Sequence, residues 1–436
     1  MEFLKPSLNV LKRFYHDPGK NLKLILSGEL DKIKDYHKHQ AITRTVYGVV
    51  RNHHLLEYLV QKISKRKLKK IQPDVLLLLK VGIYLLIFSK SYPDYAVVNE
   101  VVKTAKGKTK SFVNALLRNI TTNKIAITNL LENIRQLNIT YSIPDVLIDN
   151  LKFISNRLEE NLEYLNREPR FHIRVNQKNT SYIEAKQLLK DNKIDFIELE
   201  KFHSFEIKQS SQVINRLLAK SQFYFQDTGS QMISIIAAQF ARKKVLDCCA
   251  APGTKSVTLS LLNPQLTIYA NDINPKRVKL LKDFRNQYDL TRIKPLVSDI
   301  KRMSFKKDID FIIADSPCTS SGTLRKNPDL KIKIDNDMIN KNVKNQHQIM
   351  ESITSYFTGS VYILYSVCSF IKEETEGVME RLSDKFSLAE RVEIIDLTLL
   401  LEEYGFLYKK GHYGYYLLPS GILNNDLFYI SLLRTH

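Results

Sequence analysis

The chain has 436 residues, of which 44% are hydrophobic and 26% are charged, the composition of a globular protein with a sizeable core. This length predicts two or three domains. The formal net charge of +20 at pH 7 indicates a polyanionic partner, nucleic acid rather than membrane, although a lysine-rich solvated surface would give the same charge.

Export and membrane insertion are excluded by two further features. The N-terminal segment MEFLKPSLNVLKRFYHD is charged within a few residues and lacks an apolar core, so we predict no signal peptide. The longest apolar run, residues 75–88, contains Lys80 and Gly82 and is too short to span a bilayer, which favours a buried helix. Sparse cysteine predicts a reducing, cytoplasmic location. We also predict a monomer, since coiled-coil heptads are missing, and no metal site.

Basic residues are concentrated in the first third of the chain. Residues 1–130 hold 24 Lys or Arg and 9 Asp or Glu, so this third carries +15 of the net charge. Residues 62–70, KISKRKLKK, place six basic side chains in nine positions, and Lys65, Arg66 and Lys67 are the candidate phosphate contacts. A solvated loop is the alternative interpretation.

Hydrophobic periodicity divides the first half of the chain into three regions. Residues 1–125 place apolar residues at helical spacing, with Pro73 opening one helix and Pro93 ending it, so we predict an all-helical domain. Residues 126–165 continue helical and polar and are predicted to form a connector. Residues 166–220 change to strand, helix and strand, which predicts a small α/β unit.

From residue 221 to residue 436, short apolar runs alternate with helical segments. This alternation predicts a parallel sheet with both faces covered, as in a doubly wound, Rossmann-like domain. The fold class is therefore multidomain α and α/β: a helical domain, a small α/β bridging domain and a Rossmann-like domain. Such sheets bind ligands at the carboxyl ends of their strands.

Four aspartates lie at or just beyond the ends of predicted strands, namely Asp247, Asp272, Asp299 and Asp315. The loop CAAPGTK (249–255) follows the first strand, and its single glycine argues against a dinucleotide fingerprint, which needs three. S-adenosylmethionine, a nucleoside without phosphates, fits better, with its ribose at Asp272, its adenine amino group at Asp299 and its methionine end on the loop backbone. Four separate helix caps are the simpler alternative.

All four cysteines lie in this last domain: Cys248, Cys249, Cys318 and Cys368. Cys318 and Cys368 each follow a strand-like run, FIIADSPC and VYILYSVC. A thiolate that adds to C6 of cytosine makes C5 reactive towards a sulfonium methyl group, and an acid that hydrogen-bonds N3 stabilises the developing charge. The pattern is therefore typical of pyrimidine C5 methylation. Small buried hydrophobes are the alternative role for each thiol.

Several segments carry a resemblance to a known family. DCCAAPGTK, NDINPKRV, VSD, DSPCTSSGTLRKNPDLK and YSVCSF resemble the NOL/NOP2/Sun family of RNA cytosine-C5 methyltransferases. ITRTVYGVVRNHHLLEYLV, VGIYLLIF, PDYAVVNEVVKTAK and SFVNALLRN resemble the NusB-type helical RNA-binding domain. This fusion is similar to the bacterial RsmB/Sun branch of the family, which methylates a cytosine of small-subunit (16S) ribosomal RNA.

The resemblance assigns roles that spacing alone leaves open. It implies that Cys368 is the nucleophile and that Cys318 assists release of the methylated product, with Asp315 close to the target base. It implies an RNA-facing tail formed by Arg325, Asp329 and Lys331. The cofactor pocket that it implies consists of Cys249, Ala250, Ala251, Pro252, Gly253, Thr254, Lys255, Asp272, Asp299 and Asp315.

The sequence departs from the family pattern at four positions. Thr254 replaces the second glycine of the loop, and a positive φ there would cost roughly 1–2 kcal/mol. Ser316 and Val367 replace other small residues and leave both thiols in place. Leu427 replaces a glycine near the last strand.

We therefore predict an S-adenosylmethionine-dependent cytosine-C5 methyltransferase acting on small-subunit ribosomal RNA, with the small α/β unit binding RNA. Two alternatives remain open at this point. The same chemistry could act on transfer RNA, another RNA or DNA. The chain could instead be a NusB-like RNA-binding or assembly factor with a vestigial catalytic domain.

Overall fold

The computed structural model describes residues 1–89, 91–208, 212–303, 308–356, 359–386 and 392–435. The chain forms two compact units. The first contains Met1–Asp149, Arg157–Arg167 and Leu324–Ile334, and the second contains Asn150–Asn156, Glu168–Thr323 and Asp335–His436. A helical N-terminal region and a C-terminal mixed α/β region confirm the predicted fold class.

Helices make up the first unit, with a 3₁₀ turn at Leu68–Lys70 and a π turn at Leu85–Ser89. Up to residue 166 the helices are α1 (Leu4–His16), α2 (Leu22–Leu30), α3 (Tyr36–Arg51), α4 (His53–Ser64), α5 (Pro73–Tyr84), α6 (Asp94–Thr104), α7 (Thr109–Thr122), α8 (Lys124–Glu132), α9 (Leu137–Thr140), α10 (Asp145–Ile154) and α11 (Leu158–Asn166). Local sequence explains several of their starts. The side chains of Asn21 and Asp35 accept backbone N–H groups at the starts of α2 and α3, and Pro73 occupies the first turn of α5.

Helix α5 lies in the middle of the first unit's core. Leu79, Val81 and Ile83 are fully buried, and the buried stretch continues into the π turn, so the prediction of a buried helix over residues 75–88 is confirmed. The Lys80 ammonium inside it is neutralised by Glu57, whose Oε1 lies 3.1 Å away. Within the described ranges, every helix falls short of the length and apolarity that a bilayer crossing needs.

The segment predicted as a connector, residues 126–165, does not stand apart. It forms helices α8 to α11, and most of it belongs to the first compact unit. Ile127 is buried in the same apolar core as α5, with Leu130 and Leu131 packed against it. The apolar residues of this segment recur at helical spacing and pack into the unit. Its polar overall composition does not reveal this packing.

A small antiparallel sheet begins the main body of the second unit. Its strands are β1 (Phe171–Val175), β2 (Phe196–Leu199), β3 (Ser204–Ile207) and β4 (Phe223–Phe225), in the order β2-β3-β1-β4. Helices α12 (Tyr182–Asp191) and α13 (Gln212–Ala219) accompany it, and a capping box between Ser181 and Glu184 starts α12. Because β4 pairs with β1, this sheet continues past residue 220, where the sequence prediction ends the unit.

The larger sheet has nine strands in the order β11-β12-β13-β9-β8-β5-β6-β7, with β10 paired to β13. Its strands are β5 (Lys244–Asp247), β6 (Thr267–Asp272), β7 (Ile293–Val297), β8 (Phe311–Asp315), β9 (Tyr362–Val367), β10 (Val392–Ile394), β11 (Tyr408–Lys410), β12 (Tyr415–Leu417) and β13 (Phe428–Thr435). The remaining helices are α14 (Thr228–Phe240), α15 (Thr254–Leu262), α16 (Pro275–Gln287), α17 (Leu330–Lys333), α18 (Asn336–Tyr356), α19 (Glu376–Phe386) and α20 (Thr398–Glu403).

Strands β5 to β9 run parallel, as predicted, and β13 pairs with β9 in the antiparallel sense. The chain moves outward from β5 in one direction through β6 and β7, and then in the other direction through β8 and β9. The order therefore reverses between β5 and β8, and the carboxyl ends of these strands form the crevice where open α/β sheets bind ligands.

Candidate active site

A tight turn follows strand β5 and leads into α15. Gly253 precedes the helix with φ of +111°, and a Cβ there would lie 3.0 Å from Leu281 Cγ. Only glycine adopts this backbone without strain. Thr254 is the first residue of α15 and does not have a positive φ. The strain considered for Thr254 is therefore absent, because the positive φ falls on the preceding residue.

Asp272 ends β6 with a side chain that is only 2% exposed. Its Oδ1 accepts the N–H of Asn274 at 2.9 Å, and its Oδ2 lies 3.2 Å from Arg277 Nη1 without a hydrogen bond of acceptable geometry. Arg277 also donates to the carbonyl oxygen of Ala251 in the turn. Arg277 thus links the turn to the end of β6, a role that the sequence prediction missed.

Asp247 ends β5 and is fully buried. Its Oδ2 accepts the Ser256 hydroxyl at 2.7 Å, while its Oδ1 has no hydrogen-bond donor among the described residues. Burial raises the pKa of Asp247 to about 7. Asp299 follows β7 and, as the capping alternative predicts, accepts the N–H of Lys301 at 3.1 Å at the start of a 3₁₀ turn.

Asp315 at the end of β8 forms an ion pair with Lys255 of α15, with Oδ2 and Nζ 2.6 Å apart. The Ser366 hydroxyl donates to Asp315 Oδ1 at 2.8 Å. Burial disfavours the charged form of Lys255, but the adjacent Asp315 carboxylate outweighs it and raises the pKa of Lys255. The pair brings the predicted cofactor loop and the end of β8 together.

The two predicted catalytic thiols lie next to each other. Cys318 Sγ is 3.5 Å from Cys368 Sγ, and the Ser320 hydroxyl is 3.4 Å from Cys368 Sγ. The Cys318 thiol and the Ser320 hydroxyl, together with the charge of Lys255, lower the pKa of Cys368, although burial opposes them. The same contact and burial raise the pKa of the Cys318 thiol. Cys368 is therefore the sulfur that ionises first, with Cys318 as its proton-bearing neighbour.

Gly322 allows the two thiol-bearing loops to approach each other. Its N–H donates to the carbonyl oxygen of Cys368 at 3.0 Å, and its own carbonyl accepts the N–H of Leu427 at 3.2 Å. A Cβ on Gly322 would lie 2.0 Å from the Leu427 carbonyl oxygen, so any larger residue would push these loops apart. Leu427 contributes backbone to this contact and a buried side chain, which accommodates the departure from glycine.

Cys248 and Cys249 differ from the other two cysteines. Cys248 is 1% exposed, and burial raises the pKa of both thiols. Neither thiol is poised to react as a nucleophile. Cys248 fits the role of a small buried hydrophobe, whereas Cys249 begins the turn that the sequence assigns to the cofactor.

Two family models match the chain. The model described as 16S rRNA methyltransferase RsmB/F matches residues 235–434, and the NusB family model matches residues 8–122. Residues 235–434 of the chain therefore belong to the RsmB/F methyltransferase family. The resemblance stated from the sequence is thereby confirmed, and the chain is a methyltransferase.

Curated relatives of this RsmB/F-family chain match over most of their length. The probable ribosomal RNA small subunit methyltransferase B of Coxiella burnetii is 27% identical over 419 residues, which cover 91% of this chain and 92% of the relative. Ribosomal RNA small subunit methyltransferase B of Pasteurella multocida is 27% identical over 432 residues, covering 96% and 93%.

Solved structures share the fold of this family member. The crystal structure of PH0851 matches with a TM-score of 0.77 and 22% identity, covering 98% of both chains. NSun6 from Pyrococcus horikoshii with SFG matches with a TM-score of 0.54 and 16% identity, covering 67% of this chain and 98% of NSun6.

The residues predicted to form an RNA-facing tail lie instead inside the first unit of the RsmB/F-family chain. Arg325, Asp329 and Lys331 are 2%, 7% and 1% exposed. The Arg325 guanidinium lies 4.0 Å from the centre of the Tyr164 ring, and Asp329 pairs with Lys333 at 2.7 Å. Their side chains therefore hold the segment Leu324–Ile334 in its unit. We correct their assignment from RNA contacts to packing contacts.

Lys331 is the most deeply held of these three residues. Its Nζ donates to the carbonyl oxygens of Arg51 and Tyr141 at 3.1 and 3.0 Å, and also to Asn166 Oδ1. Burial lowers the pKa of Lys331 well below its usual range. Three oxygen acceptors thus replace the hydrogen bonds that an exposed lysine ammonium group makes to water.

The basic segment 62–70 is exposed, as its composition predicts. The side chains of Lys65, Arg66 and Lys67 face solvent, and the Arg66 guanidinium lies 4.4 Å from the centre of the Phe112 ring. This cation–π contact ties the segment to α7, whose first two residues, Thr109 and Lys110, end the lysine-rich stretch 106–110. The two basic stretches therefore adjoin one surface of the first unit.

One cluster of possible metal ligands was not predicted. His53, His54 and Glu57 place ligand atoms within 4.8 Å of one another. The Lys80 ammonium lies 2.8 Å from His53 Nδ1 and 3.1 Å from Glu57 Oε1, so a cation already occupies this cluster. We assign no metal to it.

Proposed function

We propose that this protein transfers a methyl group from S-adenosylmethionine to C5 of a specific cytosine in small-subunit (16S) ribosomal RNA, through a covalent bond between Cys368 and C6. The observation that carries the proposal is the 3.5 Å separation of the Cys318 and Cys368 sulfurs at the ends of two adjacent parallel strands. The printed names of the relatives, which specify small-subunit ribosomal RNA, support the choice of substrate.

The strand ends fit S-adenosylmethionine. Asp272 Oδ2 and Asp247 Oδ1 are buried acceptors that lack hydrogen-bond donors among the described residues, and a buried acceptor of this kind calls for a partner. Ribose hydroxyls suit Asp272, and the turn that ends at Gly253 offers backbone to the methionine end. When bound, S-adenosylmethionine supplies an electrophilic sulfonium methyl group. NSun6, the structural relative, was crystallised with SFG, an analogue of this cofactor.

Residues of the chain carry out the other steps, which are the addition to C6, the stabilisation of charge on the ring and the release of the product. The Cys368 thiolate forms a bond to C6, the C5–C6 double bond shifts to C4–C5, and the electrons of the N3–C4 double bond collect on N3. We assign the Lys255–Asp315 pair, whose Nζ and Oδ2 are 2.6 Å apart, to stabilise that charge. This shift makes C5 nucleophilic. After methylation a general base takes the C5 proton, the electrons of the C5–H bond re-form the C5–C6 double bond, and the C6–sulfur bond breaks with its electrons on the Cys368 sulfur. We assign the Cys318 thiol, 3.5 Å away, as the proton donor to the departing sulfur; the Ser320 hydroxyl, at 3.4 Å, is the other neighbour of that sulfur.

A substrate assay tests the proposal. The purified protein with methyl-labelled S-adenosylmethionine is expected to label small-subunit ribosomal RNA at one cytosine, and bisulfite sequencing should find that cytosine unmodified in a strain lacking the gene. Parallel reactions with transfer RNA, DNA and assembled small subunits separate the substrate alternatives. Tight RNA binding without methyl transfer would instead favour the assembly-factor hypothesis. Label on transfer RNA alone would show that transfer RNA, and not ribosomal RNA, is the substrate.

The basic surface of the first unit supports an RNA substrate. We define this basic surface as Lys62, Lys65, Arg66, Lys67, Lys69, Lys70, Lys106, Lys108 and Lys110. In the part of the chain that the structure describes, none of these nine side chains pairs with a carboxylate. Cations without acidic partners on one surface suit the phosphate backbone, which binds with release of counterions.

Replacing Lys65, Arg66 and Lys67 together by alanine is expected to weaken RNA binding and to flatten its salt dependence. Each lost phosphate contact reduces the slope of log affinity against log salt by about 0.7 to 0.9. Filter binding between 50 and 300 mM salt measures this slope. The matched control replaces the exposed residues Lys5, Lys23 and Lys34 by alanine, a change that removes the same amount of positive charge from the same unit. Equal slopes for the two triple variants would contradict a role for this surface.

A further inference from the structure

A buried carboxylate connects the two thiol-bearing loops. Glu374, in the 3₁₀ turn Lys372–Glu374, is completely buried. Its Oε1 accepts the backbone N–H of Thr319 at 2.8 Å, and its Oε2 accepts the hydroxyls of Thr319 and Ser369, each at 2.6 Å. Thr319 follows Cys318 and Ser369 follows Cys368, so one side chain binds the neighbour of each thiol.

Further hydrogen bonds extend this connection. Gln346 of α18 donates to Glu374 Oε1 at 3.3 Å and to the carbonyl oxygen of Pro317 at 2.9 Å. The hydroxyls of Ser321 and Ser369 lie 2.8 Å apart, and Ser321 accepts the N–H of Phe370 at 3.1 Å. The loops on both sides are therefore held to the same buried group rather than to solvent.

The proposed mechanism gives Glu374 no chemical step, and no hydrogen bond joins its carboxylate to either sulfur in the described structure, although its charge helps to raise the pKa of Cys318. A buried carboxyl group without a structural reason is costly, and burial raises the pKa of Glu374 against the effect of its donors. The separation of the two sulfurs is the quantity that these contacts fix. Release of the product depends on that separation, since a proton passes between the sulfurs only within hydrogen-bond reach.

We infer that Glu374 is a positioning residue that holds the Cys318 and Cys368 loops at the spacing at which the two sulfurs act together. The importance of this spacing for catalysis rests on the proposed function. The claim that Glu374 sets the spacing does not depend on that function. Glutamine can take over the bridge, because the hydroxyls of Thr319 and Ser369 are able to accept as well as donate. Alanine cannot.

The test uses diamide, which accepts two electrons and two protons as two thiols form a disulfide. Glu374→Gln removes the charge that acts on Cys318 but keeps the bridge, so it separates an effect of spacing from an effect of thiol ionisation. Mass spectrometry of peptides follows formation of the Cys318–Cys368 disulfide. The Glu374→Ala variant is expected to form it at least tenfold more slowly than the wild type, and Glu374→Gln within about threefold of it. The same variants should slow methyl transfer in the same order, through kcat more than KM.

Glu376 provides the matched control. It is a second buried glutamate, two residues later, that accepts the Tyr429 hydroxyl at 2.6 Å and the N–H groups of His412 and Tyr413. Glu376→Ala removes a comparable buried carboxylate without touching either thiol-bearing loop, so its disulfide should form at the wild-type rate. Equal slowing by Glu374→Ala and Glu376→Ala would overturn the inference, as would a wild-type rate in Glu374→Ala.

If Glu374→Ala does not fold, Ser369→Ala cuts the bridge on the Cys368 side alone. This variant is expected to slow disulfide formation at least threefold, and an unchanged rate would overturn the inference. Because diamide oxidation needs neither RNA nor S-adenosylmethionine, a failure of the proposed function would leave the oxidation rates as stated. A failure of the inference would in turn leave methylation of the wild-type protein intact.

Discussion

Replacing Cys318 by alanine is expected to turn the protein into a trap for its RNA substrate. In the proposed mechanism the Cys318 thiol, 3.5 Å from the Cys368 sulfur, donates a proton as that sulfur leaves C6. General acid assistance contributes about 10²–10⁴-fold to such a step, so release should slow by at least about 10²-fold. The covalent Cys368–RNA species then accumulates and appears as a shifted, labelled band on a denaturing gel.

Two further variants complete this experiment. The Cys318→Ala, Cys368→Ala double variant should form no covalent species and no methylated product. The Cys248→Ala variant removes a buried thiol that contacts neither catalytic sulfur, and it should turn over as the wild type does. A stable adduct in the absence of Cys368 would show that another residue is the nucleophile.

Replacing Lys255 by methionine is expected to move the pH dependence of the reaction upward. Lys255 carries the cation that helps to lower the pKa of Cys368, after the hydrogen bond from Cys318. Loss of that charge raises the pKa of Cys368, so less thiolate is present at neutral pH and a higher pH restores it. The rate at pH 7 should therefore fall below that of the wild type, and the difference should disappear at high pH.

Alkylation measures this change without the cofactor that the Lys255 loop is predicted to bind. The rate at which iodoacetamide modifies Cys368, followed by peptide mass spectrometry across pH 5 to 10, gives the thiol pKa. Lys255→Arg keeps the charge and should stay closer to the wild type than Lys255→Met. Identical midpoints for the wild type and Lys255→Met would mean that the lysine does not influence the nucleophile.

The sequence predicts those parts of the catalytic unit that depend on local pattern. Short apolar runs determine the strands, and the aspartates that end β6 and β8 fall at one sheet edge because parallel strands carry their carboxyl ends there. The Cys318 and Cys368 loops follow adjacent parallel strands, β8 and β9, which explains why residues 50 positions apart meet.

Other features depend on contacts that no local pattern records. The run KEETE, which contains Glu374, is typical of a solvated turn, yet its partner Thr319 lies 55 residues away. Arg325 and Lys331 belong to residue types that are almost always exposed, so an RNA-facing role was the natural expectation. Their burial depends on Tyr164 and on the carbonyl oxygens of Arg51 and Tyr141, all distant in the sequence.

The segment Leu324–Ile334 has a consequence for the synthesis of the protein. It lies between Cys318 and Cys368 in the chain, yet it packs with residues from the first 167. The N-terminal helices therefore remain without part of their interior until the ribosome has translated residue 334 and released it from the exit tunnel. A fragment expressed as residues 1–167 would expose the carbonyl oxygens that Lys331 satisfies in the full-length chain.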